Sequence, residues 1–140
     1  MKVSGYSGNH AHSNRLTVMW VAVGLAMVAA LSYMLIAWRV LGVGSLQDSD
    51  APAAIVYVCA ACYFVGGLLI LLQKRWLLMT GAVINALVMF FFFSAYTNKL
   101  DVMFSAGGLA TKAAQLLLEI ALLYLILAEG HLHMPRLQGH

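Results

Sequence analysis

Residues Gly107 to Gly130 read GGLATKAAQLLLEIALLYLILAEG. The run is long enough and apolar enough to cross a bilayer as a helix, which needs about 20 residues. It nevertheless carries Lys112, Gln115 and Glu119. At 100° per residue these three fall on one narrow helix face. An ionisable side chain in mid-bilayer costs about 2.5–3.5 kcal/mol on insertion scales. The stripe is therefore expected to point into a helix bundle or a protein partner, not into lipid.

The rest of the chain repeats the apolar part of this pattern. Of its 140 residues, 63% are hydrophobic and only 9% charged, and the mean hydropathy is +0.88. A soluble domain carries about 25% charged residues, so the composition points to an integral membrane protein. Apolar runs cover 16–37, 52–72, 76–96 and 106–128. In hydrocarbon the backbone must satisfy its own hydrogen bonds, which leaves helices as the form for such runs. The expected fold is all-α: a single domain over 1–140, an up-down bundle of four transmembrane helices with short tails. Ala22, Ala26 and Ala30 in the first run, and Ala106, Ala110 and Ala114 in the last, recur at four-residue steps. Such ridges of small side chains let helix backbones approach.

Four spans place both termini on one side. That side carries Lys2, Arg15, Lys74, Arg75 and Arg136, against Arg39 and Lys99 opposite. The excess predicts cytoplasmic termini in an inner membrane of bacterial or archaeal type. The first run is too long for the core of a cleavable leader and is expected to stay as a helix. Trp38, Trp76 and Tyr96 sit where interfacial rings are expected. No Lys/Arg cluster of the kind that grips a polyanion is present, so nucleic acid is not an expected partner.

Depth along the helices nominates contacts. Glu119 and Asn85 each lie roughly 14 Å from the same predicted membrane face at 1.5 Å per residue, which makes Asn85 a candidate partner for Glu119. Lys112 lies nearer the opposite face, where its stem can snorkel. Lys112 and Glu119 are about 10 Å apart along the axis and would meet through Gln115 or water. The plain reading is a polar seam that fixes helix register or docks another subunit. The sharper reading is a proton or ion site, or a site for a quinone or lipid headgroup.

Two other motifs carry chemistry. Cys59-Ala-Ala-Cys62 is a CxxC inside the second run. Its spacing resembles that of four-helix membrane oxidoreductases passing electrons from thiols to quinone. Those proteins use a second cysteine pair in an outward loop, and this chain has only two cysteines. Thiols buried in apolar surroundings are inert, so Cys59 and Cys62 read mainly as small packing residues. The tails contribute His10-Ala-His12 and His131-Leu-His133-Met134. Imidazole pairs with a nearby thioether are candidate ligands for copper or zinc. In Phe90–Phe93 four consecutive rings point all around a helix, which suits lipid and helix packing, or a quinone tail.

No nucleotide loop, catalytic-triad pattern or intramembrane histidine pair for haem is present. The leading expectation is an accessory subunit of a larger membrane complex, with a respiratory or metal-dependent oxidoreductase as the class. It would contact lipids and other integral membrane subunits, with no catalytic activity of its own. The first alternative is a small homo-oligomeric transporter or channel using Glu119. The second is metal binding by the tail histidines.

Overall fold

The computed structural model describes residues 8–43 and 53–132. Among these the ordered elements are all helical: α1 (Gly8–Ala37), α2 (Ala53–Ile70), α3 (Arg75–Tyr96), α4 (Leu100–Met103) and α5 (Ala106–Leu132). Alanine and leucine are the commonest residues of α5 and frequent in α1, and no proline interrupts any of the long helices, so helix propensity favours them. Ser13–Ala37, Arg75–Ser94 and Ala106–Ala128 are each long and apolar enough to cross a membrane, while the apolar part of α2, Ala54–Ile70, is shorter. These helices mark the chain as a membrane protein.

Two helix ends and one additional element differ from the sequence expectation. α1 begins at Gly8 rather than Leu16, and α5 runs to Leu132, past Gly130. Hydropathy marks where hydrocarbon can begin, whereas the hydrogen-bond ladder continues through polar residues and tolerates one glycine at a cost of about 1 kcal/mol. The third difference is α4, a single turn in the segment between α3 and α5, with Val102 fully buried. Leu100, Val102, Met103 and Phe104 lack the length to show a helical period.

α1 packs against α2 on one side and α5 on the other; α3 packs on α5, while α2 and α3 touch only sparsely. Ala22, Ala26, Ala29 and Ala30 form the buried ridge of α1. Gly67 of α2 meets it so closely that a Cβ there would lie 3.2 Å from the Cβ of Ala26. On α5 the expected ridge is corrected. Ala114 is buried, but Ala106 and Ala110 are exposed. The buried face instead runs through Gly107, Thr111, Ala114 and Leu118. Gly107 allows a closer approach than an alanine, and that contact sets the rotation of the helix. The outward surface is apolar, with Ile55, Phe64, Val83, Phe90 and Phe91 all more than half exposed, as lipid contact requires.

The helix ends are fastened by backbone bonds. At the end of α1, Val40 N–H donates to Leu35 O and Arg39 N–H to Ile36 O, each at 2.9 Å. This is a Schellman closure, whose left-handed position is usually glycine. Here Arg39 occupies it with φ 58°. Arg39→Gly is therefore expected to stabilise the fold by about 1 kcal/mol, read as a raised thermal midpoint in detergent. At the start of α5, Ser105 Oγ accepts from Gly108 N–H at 3.0 Å. Gly107 N–H reaches Gly42 O of the α1 extension at 2.9 Å. Two of the four N–H groups left open at a helix start are thereby satisfied.

Candidate functional site: a polar network across four helices

Gln115 is the centre of the site and is wholly buried. Its Oε1 accepts from Lys112 Nζ at 2.6 Å. Its Nε2 donates to Tyr33 Oη at 3.0 Å and to Tyr63 Oη. The Tyr63 hydroxyl donates in turn to Asn85 Oδ1 at 2.8 Å. Asn85 Nδ2 donates to the backbone carbonyl of Gln115 at 3.0 Å and to Glu119 Oε2 at 2.8 Å. One connected network thus takes Tyr33 from α1, Tyr63 from α2, Asn85 from α3, and Lys112, Gln115 and Glu119 from α5.

The direction of the bonds is uniform. From Lys112 through Gln115, Tyr63 and Asn85 to Glu119, each group donates to the next. The chain starts at a group that can only donate and ends at a carboxylate. Both amide orientations follow from their neighbours. The Lys112 ammonium has no acceptor, so it requires the oxygen of Gln115. The Gln115 carbonyl has no donor, so it requires the nitrogen of Asn85. Neither amide can be reversed without placing like groups together. All the hydrogens on both amide nitrogens are engaged within the chain.

Ring contacts hold the cluster laterally. Tyr33 and Tyr63 stack at a centroid distance of 5.7 Å and an angle of 13°. Lys112 Nζ lies 3.9 Å from the centroid of Phe92, a cation–π contact that is stronger away from water. Lys112 is half-buried and bonds inward to Gln115, which corrects the expectation that its stem snorkels outward. The route from Lys112 to Glu119 runs through Gln115, as expected, but continues through Tyr63 and Asn85. Phe90, Phe91 and Phe93 are exposed, and Phe92 turns inward to Lys112 and to Tyr96, at 5.0 Å.

The sequence reading of the stripe named Asn85, Lys112, Gln115 and Glu119, and the structure brings these four together. It missed Tyr33, Tyr63 and Phe92. A usable signal was there for the tyrosines: a phenol inside an apolar span must find a partner for its hydroxyl. Phe92 gave no signal, because four consecutive phenylalanines look alike until the helix is rotated into place.

Cys59 and Cys62 are both free thiols, the first half-buried and the second exposed. Cys59 lies one turn before Tyr63 on the same face of α2, while Cys62 is exposed. His10 and His12 lie in the first turns of α1 and His131 near the end of α5; the placement of their side chains, and all of His133, falls outside the described residues. Among the described residues no group of three or more His, Cys, Asp or Glu side chains comes together to hold a metal ion.

No family profile, curated protein or solved structure was found to match this chain.

Proposed function

We propose that the chain is a non-catalytic accessory subunit of a larger membrane complex, and that an oxidoreductase is the class of complex to test first. In this reading its four apolar helices form a transmembrane up-down bundle, with both termini on the cytoplasmic side of a bacterial or archaeal inner membrane. The observation that carries the proposal is the closure of the network. Gln115 and Asn85 have all their amide hydrogens engaged across four helices, an arrangement suited to fixing register. The two amides also interrupt any proton path from Lys112 to Glu119, because an amide neither gains nor loses a proton at ordinary pH. Such a rigid insert, with a broad apolar exterior, suits a role of filling and bracing an assembly.

The test is gentle extraction of the tagged chain from native membranes, followed by mass spectrometry. Unrelated membrane subunits are expected in a fixed ratio to this chain. Recovery of the chain alone, or only with copies of itself, would overturn the accessory reading. It would favour the homo-oligomeric transporter, for which Glu119 is the ion site.

A further inference from the structure

Cations from two parts of the chain gather at one end of the bundle. Gln73, in the turn between α2 and α3, sets its Nε2 against Met19 Sδ of α1. That contact puts the turn and α1 at one level. Arg15 stands one turn before Met19 on the same face of α1, and Lys74 and Arg75 follow Gln73 directly. Gln73 holds a left-handed backbone, with φ 49°, and its N–H donates to Ile70 O at 3.1 Å. The turn is thus fixed through both its backbone and its side chain. Lys74 and Arg75 are exposed, and Arg15 is half-buried. The carboxylates with described side chains lie elsewhere: Asp101 in α4 at the opposite end, and Glu119 in the middle of α5. Glu129 belongs to this end by its place in α5, with its side chain outside the described residues.

This end lies where water gives way to hydrocarbon. Arg75 is the first residue of the apolar span Arg75–Ser94, and Arg15 is the third of Ser13–Ala37. Large apolar side chains begin beside each cation. Leu16 follows Arg15, and Leu72 and Trp76 stand on either side of the Lys74–Arg75 pair, all three exposed. Lysine and arginine stems cover such apolar surface while their heads stay at the polar boundary. A soluble anion would use the cations alone. Cations set over exposed hydrocarbon match a molecule with an acidic head and apolar tails.

We infer that Arg15, Lys74 and Arg75 form a headgroup site for an anionic phospholipid, which bridges α1 and the α2–α3 turn and lays its acyl chains along Leu16, Leu72 and Trp76. The phosphate supplies the counter-charge for the exposed pair, and the tails cover the apolar side chains beneath it. This inference does not depend on the accessory role, because it is tested on the chain reconstituted alone.

The probe is brominated phosphatidylglycerol, with brominated phosphatidylcholine as the net-neutral reference; both quench tryptophan on contact. The full-length chain carries either Trp20→Phe and Trp38→Phe, so that Trp76 reports on the site, or Trp20→Phe and Trp76→Phe, so that Trp38 reports on the opposite end. At Trp76 the acidic lipid is expected to bind at least about fivefold more tightly than the neutral one, the effect of one full cation contact. At Trp38 the two lipids are expected to quench about equally. Lys74→Gln with Arg75→Gln is expected to bring Trp76 down to the behaviour of Trp38, and Arg15→Gln alone to lower the preference at least about twofold. Lys74 and Arg75 are exposed, so their replacement leaves the fold intact, checked by an unchanged thermal midpoint. Inorganic phosphate is expected to reduce the preference no more than chloride of equal ionic strength; a larger reduction would assign the site to a free phosphate and overturn the lipid. Equal quenching by the two lipids at Trp76, a matching preference at Trp38, or a preference that the double variant or Arg15→Gln fully retains also overturns the inference.

Discussion

Gln115→Leu is expected to destabilise the fold by about 3 kcal/mol, the largest effect of any single substitution in the network. Leucine nearly preserves the volume, so packing changes little, and the loss is polar. Lys112 loses its acceptor at 2.6 Å, and Tyr33 and Tyr63 each lose a donor. Interhelical hydrogen bonds in a membrane protein average about 0.6 kcal/mol and reach about 1.7 kcal/mol. The two interhelical bonds to Tyr33 and Tyr63, together with the bond within α5 to the Lys112 ammonium, give the estimate. The cost of an orphaned charge exceeds that of a neutral bond, so Lys112→Met on top of Gln115→Leu is expected to restore part of the loss. Glu119→Gln, by contrast, is expected to cost less than about 0.5 kcal/mol, because Asn85 keeps an acceptor. The measurement is the unfolding midpoint in a denaturing-detergent titration. A loss below about 1 kcal/mol for Gln115→Leu would mean that apolar packing alone sets the register.

Gly107→Ala is expected to cost about 2 kcal/mol, although alanine is the better helix former. A Cβ at this position would lie 2.8 Å from Val43 Cγ1 and 2.9 Å from Gly42 O. The valine can turn, but the carbonyl is backbone and is itself the acceptor for Gly107 N–H. The substitution therefore forces α5 away from the end of α1 and stretches the bond that joins them. Gly24→Ala is the matching control. Nothing lies within 4 Å of its added Cβ, so helix propensity acts alone and the expected change is a gain of about 0.8 kcal/mol. Opposite signs at the two glycines would separate close packing from propensity. A gain at both would show that the contact between Gly107 and Gly42 contributes nothing.

The apolar segments were legible in the sequence, because hydropathy and length report directly on what hydrocarbon tolerates. Their outer limits were less so: the polar first turns of α1 and the last turn of α5 obey backbone hydrogen bonding, which hydropathy does not measure. The stripe was legible for the same reason as the spans. A lysine, an amide and a carboxylate stand out against leucine, and helical spacing put them on one face. Counting depth from the membrane ends also brought Asn85 beside Glu119, since antiparallel helices of similar length share a vertical scale.

By itself, then, the sequence determined that this is a helical membrane protein with a polar face on its last helix. These properties follow from composition and from a fixed rise and turn per residue. Only the tertiary structure decided which way each helix is rotated. Rotation chose Gly107 over Ala106 as the close contact, Phe92 over its three neighbours as the ring beneath Lys112, and Tyr33 and Tyr63 as the partners of Gln115. It also set Asn85 against both the Gln115 carbonyl and the Glu119 carboxylate. These outcomes depend on how all four apolar faces pack at once, and a period along one helix does not contain that information.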